Sequence, residues 1–135
     1  MKKFFFHLVT GFILWSCTST EKEVQLMPID YLTAGNAKTW KLVKFKTAEI
    51  DQLSECLKDD EFIFYKKSQI YEWKKAALKC YAEDEDISLE YKLSADGKSL
   101  TFNEYIYQVN ILNVETLEIE TVLNGDKQIL TYARK

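Results

Sequence analysis

Histidine, proline and glycine are scarce in this 135-residue chain, which contains one histidine, one proline and four glycines. The histidine, His7, lies in an apolar N-terminal run, so the remainder has no imidazole to act as a base or to bind a metal. Gly-rich phosphate loops and the G-x-S-x-G pattern of serine hydrolases are also missing from the sequence. We therefore expect a protein that is not an enzyme and that has no cofactor or metal site.

Positive charge is limited as well. The chain has 18 basic and 21 acidic residues, and removal of an N-terminal segment with Lys2 and Lys3 would leave 16 basic residues and a net charge of −5. An acidic chain is a poor partner for nucleic acid, so none is expected. The content of 47% hydrophobic and 14% aromatic residues is too high for disorder, and it predicts a buried core.

Residues 1–16 have the pattern of a signal peptide. Lys2 and Lys3 precede the apolar run FFFHLVTGFILW, which is shorter than the roughly 20 residues of a membrane-spanning helix. The sequence LWSC resembles a bacterial lipobox, which implies cleavage before Cys17, lipidation of Cys17 and a tether over residues 17–30. The alternative is an ordinary secretory signal that leaves Cys17 as a free thiol.

Lipidation would attach the domain to a membrane. Each buried methylene of an acyl chain contributes about 0.8 kcal/mol, and two or more chains anchor a protein stably. By resemblance to lipoprotein sorting, the absence of Asp directly after Cys17 favours the outer membrane, on either its periplasmic or its surface-exposed face. We expect the membrane contact to be made through this anchor and the domain to be a monomer.

Cys56 and Cys80 are the remaining cysteines. An even pair in an exported protein is normally bridged, because the compartment is oxidising. A disulfide between them would close a loop of about 25 residues and stabilise the fold by roughly 3 kcal/mol.

Most of the chain after Pro28 has the alternation of β-strands. Pro28 and Gly35 bracket a short N-terminal helical turn, while Asp96-Gly97 and Asn124-Gly125 predict tight hairpin turns because these residues tolerate positive φ. Closure of the meander would remove exposed strand edges, so we predict an all-β fold, a single eight-stranded antiparallel up-and-down barrel. An open β-sandwich is the alternative. The eight predicted strands are 39–46, 61–67, 69–75, 87–93, 99–102, 104–112, 114–123 and 127–135.

Alternation also predicts which side chains face the core. In the strand 104–112, Tyr105, Tyr107, Val109 and Ile111 would share one face. The acidic stretches LKDDE (57–61) and EDED (83–86) lack the spacing of a calcium loop and are interpreted as solvated turns. The outer face of a hairpin is predicted to carry the lysines Lys66, Lys67, Lys74, Lys75 and Lys79.

The order of several short motifs resembles the lipocalin-like domains of bacterial lipoproteins. The motifs are NAKTWKLVKF, ECLKDDEFIFYKKSQIYEWKKAALKCY, YKLSADGKSLTF and YIYQVNILNVETLEIE, and the resemblance covers residues 32–135. It implies a lipocalin-like barrel domain over residues 31–135, able to carry an apolar ligand and without a defined enzymatic activity.

Aromatic residues are the candidates for ligand contact, since ligand sites are mostly apolar with a few polar groups. The alternative is that they fill a packed core. From this reasoning we expect a lipid-anchored envelope protein that binds a small hydrophobic or amphipathic ligand; a protein-interaction or envelope-assembly module with a filled barrel is the alternative. The candidate ligand-binding residues are Trp40, Phe62, Phe64, Tyr71, Trp73, Tyr91, Phe102, Tyr105 and Tyr107.

Overall fold

The computed structural model of the protein describes residues 25–135. The predicted signal peptide, the lipidation site at Cys17 and most of the predicted tether lie outside these residues. Among the residues described, no helix is long and apolar enough to cross a bilayer.

Nine antiparallel strands and two short helices make up the described part of the chain. In chain order they are α1 (Pro28–Thr33), β1 (Ala37–Thr47), β2 (Ile50–Asp51), α2 (Glu55–Lys58), β3 (Glu61–Tyr65), β4 (Ile70–Lys74), β5 (Ile87–Leu93), β6 (Ser99–Phe102), β7 (Tyr105–Leu112), β8 (Thr116–Leu123) and β9 (Asp126–Arg134). The boundary predicted at residue 31 falls inside α1.

Eight of the strands form a closed barrel, and the long strand β1 closes it. Residues 37–40 of β1 pair with β3, and residues 40–47 pair with the last strand, β9. The two-residue strand β2 folds back and pairs antiparallel with residues 46–47 at the end of β1. The predicted eight-stranded antiparallel barrel is therefore confirmed, and the alternative of an open sandwich is excluded by the β1–β9 ladder.

Only some of the hairpin turns could be predicted from the sequence. Asn124 (φ 54°) and Gly125 (φ 89°) form the tight turn that was predicted between β8 and β9. At the β5–β6 hairpin, Gly97 has positive φ but Asp96 does not; its carboxylate instead accepts hydrogen bonds from the hydroxyl of Ser94 and the amide of Lys98. Two further turns with positive φ, at residues 48–49 and 103–104, contain no glycine and were not predicted.

Helix α1 covers one end of the barrel. The indole Nε1 of Trp40 donates a hydrogen bond of 3.0 Å to the carbonyl of Leu32, and both residues are fully buried. The ammonium of Lys38 lies 3.9 Å from the centroid of the Trp40 ring and donates to the carbonyls of Tyr31 and Val114. Burial lowers the pKa of Lys38. These contacts seal the α1 end of the barrel.

A β-bulge in β7 changes the predicted alternation. In the pairing of β7 with β8, Val109 pairs with Ile119 and Leu112 pairs with Leu117. Two residues of β7 therefore lie between these pairs where β8 has only one, and the extra residue lies between Val109 and Ile111. Ile111 is consequently 40% exposed on the outside of the barrel. The prediction that Ile111 shares a face with Tyr107 and Val109 was wrong, because it assumed a regular strand.

Candidate functional site

The barrel contains a cavity of about 310 Å³ at the end away from α1. Its position follows from Phe45 near the end of β1, Phe62 near the start of β3 and Asn103 in the β6–β7 turn, all remote from the strand ends that α1 covers. A water molecule takes up about 30 Å³ in the liquid, so the cavity could hold about ten. This volume lies at the lower limit of known ligand sites, which begin at about 300 Å³.

Five of the nine predicted ligand-binding residues line this cavity. Tyr71 and Tyr107 stack on opposite sides of Phe102, with ring centroids 4.8 Å and 4.6 Å from the Phe102 ring. Phe62 and Trp73 continue the wall at a centroid distance of 5.4 Å. The result is a continuous aromatic surface built from β3, β4, β6 and β7.

The other four predicted residues lie elsewhere. Trp40 and Phe64 are packed in the half of the barrel that α1 closes. Tyr91 lies beside Phe64, and its hydroxyl donates to the carbonyl of Tyr65 at 3.0 Å. Tyr105 is exposed next to the β6–β7 turn. None of these four lines the cavity.

Sequence reasoning missed the side of the cavity formed by β1 and β9. Tyr132 is the most informative omission, because it is buried, lines the cavity and packs edge-on against Phe62 with a centroid distance of 5.1 Å. The alternation of Leu130 and Tyr132 in KQILTYARK is the signal that could have identified it. The remaining lining residues are Leu42, Phe45, Leu57, Ile87, Leu89, Asn103 and Leu130.

The cavity wall is uncharged. Within the described residues, no Asp, Glu, Lys or Arg lines it, and its ionisable groups are the phenols of Tyr71, Tyr107 and Tyr132. Burial raises the pKa of all three, and that of Tyr71 lies well above its usual range. The phenols of Tyr132 and Tyr107 raise the pKa of Tyr71 further. All three therefore remain neutral at physiological pH.

The buried carboxylate of Asp60 organises the rim of the cavity. Asp60 is 1% exposed and accepts hydrogen bonds from the indole Nε1 of Trp73 at 2.7 Å and from the amide of Ala76 at 2.8 Å. It therefore orients a cavity-lining ring and holds the start of the long β4–β5 loop. The prediction that the acidic stretch 57–61 is a solvated turn was wrong for Asp60.

Lys75 belongs to the same network. Its ammonium lies 3.8 Å from the carboxylates of both Asp60 and Asp84, and 3.5 Å from the centroid of the Trp73 ring. The side chain is only 8% exposed. The prediction that this lysine lies on a solvated face was therefore wrong, because sequence alternation does not show that the β4–β5 loop folds back over it.

The predicted disulfide between Cys56 and Cys80 is present, with the two Cα atoms 5.2 Å apart. It joins α2, which contributes Leu57 to the cavity, to the β4–β5 loop. An open groove of about 860 Å³ beside the disulfide shares Leu57, Trp73 and Ile87 with the cavity. This groove also carries the acidic residues 83–86, so an acidic surface adjoins the cavity.

A scan against models of protein families and a search of the curated proteins both gave no match for this chain. Within the residues that the structure describes, no group of three or more His, Cys, Asp or Glu side chains is arranged to hold a metal ion.

Proposed function

We propose that this protein binds a small apolar or amphipathic molecule inside its barrel, without catalysis, while a lipid on Cys17 anchors it in the outer membrane. The observation that carries the binding role is the uncharged cavity of about 310 Å³ with its aromatic wall. Apolar surface removed from water contributes about 25 cal/mol per Å², so such a wall favours an apolar ligand over water.

The anchor is supported by the N-terminal sequence. The basic start, the short apolar run and LWSC resemble a lipoprotein signal, and the lipocalin-like motifs agree with a barrel that carries an apolar ligand. The domain would face the periplasm or the cell surface from the outer membrane.

An interaction or assembly module is less well supported. That function was expected to coincide with a filled barrel and a large exposed apolar patch. Ile106 and Val122 are both 68% exposed on the outside of β7 and β8, but the barrel interior holds a cavity. A ligand-binding function explains the cavity, whereas an interaction surface on the outside of the barrel does not.

Native mass spectrometry of the full chain, extracted from the envelope of the cells that produce it, tests the proposal. We expect an intact mass with acyl chains on Cys17, together with a small molecule that is released on mild denaturation. A clean mass without a bound molecule, unchanged after incubation with apolar compounds, would argue against a carrier role.

A cavity-filling variant shows where the molecule binds. Leu89→Trp would place a larger side chain in the cavity, and Val122→Trp introduces the same side chain at an outer position. We expect the bound mass to be lost from Leu89→Trp and retained in Val122→Trp, with circular dichroism verifying that both variants are folded. Retention in both variants would place the molecule outside the barrel.

A further inference from the structure

Three tyrosine side chains with unpaired hydroxyls meet at the cavity. Tyr71, Tyr107 and Tyr132 all line it, and their rings belong to one aromatic cluster through Phe102 and Phe62. They come from β4, β7 and β9, so the barrel brings together residues that are far apart in the sequence.

Two other tyrosines of the barrel, Tyr65 and Tyr91, have protein hydrogen-bond partners for their hydroxyls. The hydroxyl of Tyr91 donates to a backbone carbonyl, and that of Tyr65 donates to the carboxylate of Glu72 at 2.9 Å. Within residues 25–135, no hydrogen bond joins the hydroxyl of Tyr71, Tyr107 or Tyr132 to another protein group, and no buried polar side-chain atom is both sealed and unpaired. The three hydroxyls therefore open onto the cavity.

Hydroxyl groups in this position favour a polar atom in the ligand. A buried polar group without a partner costs about 1–3 kcal/mol, and a phenol can both donate and accept a hydrogen bond. Tyr71 and Tyr132 are almost fully buried, so a purely apolar ligand that displaced water from them would leave them unpaired.

The absence of charged side chains from the wall opposes an ionised ligand. Among residues 25–135, no cationic side chain lines the wall to pair with an anion, and burial of an unpaired charge is strongly unfavourable. The carboxylate of Asp60 acts on Tyr71 in the same direction, because it raises the energy of a negative charge at that site. The phenols, neutral at physiological pH, offer no compensating charge to a cation.

We propose that the cavity selects an uncharged ligand with an apolar body and one hydrogen-bonding group, a hydroxyl or a carbonyl, that bonds hydroxyls among those of Tyr71, Tyr107 and Tyr132. This inference rests on the proposed ligand-binding function and adds the chemical class of the ligand. The apolar body contacts the Phe62, Phe102 and Trp73 rings, while the polar group replaces the water that would otherwise pair with the tyrosines.

Three matched probes test this selectivity by equilibrium dialysis at pH 7 with the full chain, after any bound molecule has been removed. Naphthalene has the apolar body alone, 2-naphthol adds a neutral hydroxyl, and 2-naphthoate adds a charged group. We expect 2-naphthol to bind about tenfold more tightly than naphthalene, the effect of one neutral hydrogen bond. 2-Naphthoate should bind at least about tenfold more weakly than 2-naphthol.

Removal of the tyrosine hydroxyls tests whether these residues produce the selectivity. Tyr71→Phe, Tyr132→Phe and the double variant keep the rings and remove hydroxyls that naphthalene would leave unpaired. We therefore expect naphthalene affinity to rise by about fivefold and the preference for 2-naphthol to fall stepwise toward unity. Tyr91→Phe is the matched control, because its hydroxyl bonds the protein away from the cavity, and it should leave the preference unchanged.

The outcomes separate the two proposals. Equal binding of naphthalene and 2-naphthol, tightest binding of 2-naphthoate, or an unchanged preference in the double variant would each overturn the selectivity and leave the ligand-binding function standing. Binding of none of the three probes would count against the ligand-binding function itself.

Discussion

Replacement of Asp60 by alanine tests whether the rim of the cavity depends on one buried carboxylate. Asp60 accepts from the Trp73 indole at 2.7 Å and from the Ala76 amide at 2.8 Å, and it lies 3.8 Å from the ammonium of Lys75. Asp60→Ala would leave both donors without an acceptor and would leave Lys75 with one carboxylate partner, Asp84.

The expected loss follows from these contacts. Each hydrogen bond to an ionised carboxylate contributes about 1.5–3 kcal/mol, and removal of one partner of a buried ion pair typically costs about 3–5 kcal/mol. We therefore expect Asp60→Ala to lower the free energy of unfolding by about 3–5 kcal/mol. Asp60→Asn should cost less, because its amide oxygen can still accept from one of the two donors.

Urea unfolding, followed by tryptophan fluorescence, measures this loss. The adjacent residue Asp59 is exposed and provides a matched control, so Asp59→Ala should change the free energy of unfolding by less than about 0.5 kcal/mol. The reasoning would be refuted if Asp60→Ala and Asp59→Ala were equally stable, since Asp60 would then contribute no more than a solvated carboxylate.

Two further comparisons test the end of the barrel that α1 closes and the disulfide. Gly97 has φ +71°, and an added Cβ would lie 2.7 Å from Cβ of Pro28, whereas Gly125 (φ +89°) has no atom within 4 Å of an added Cβ. Gly97→Ala should therefore lower the free energy of unfolding by about 1–3 kcal/mol more than Gly125→Ala, and equal losses would contradict the packing of Pro28 on this hairpin. Combined replacement of Cys56 and Cys80 by serine should lower the free energy of unfolding by about 3 kcal/mol in the same assay, and a loss below about 1 kcal/mol would show that the loop is already ordered without the bridge.

The barrel could be predicted because its signals are local. Alternation in ISLEYKL and in the segment around Leu117 and Ile119 depends only on the two-residue period of a strand, and Asn124-Gly125 only on the backbone preferences of two residues. The bulge before Ile111 was not predictable in this way, since nothing in the local pattern shows that one residue is left out of the ladder.

The candidate site was predictable only in part, for a related reason. Alternation separates inward from outward side chains but does not say at which height in the barrel they lie. Phe64 and Phe62 belong to the same face of β3, yet Phe64 packs in the closed half and Phe62 lines the cavity, because α1 covers only one end.

The amino-acid sequence by itself determined the eight strands of the barrel, most of the inward faces and the pairing of Cys56 with Cys80. These properties follow from backbone periodicity and from the number of cysteines available. Tertiary structure alone decided that Asp60 and Lys75 are buried and that Tyr71, Tyr107 and Tyr132 share one cavity. Those relations join residues from distant strands and loops, and they arise only when the ladder between β1 and β9 closes the barrel.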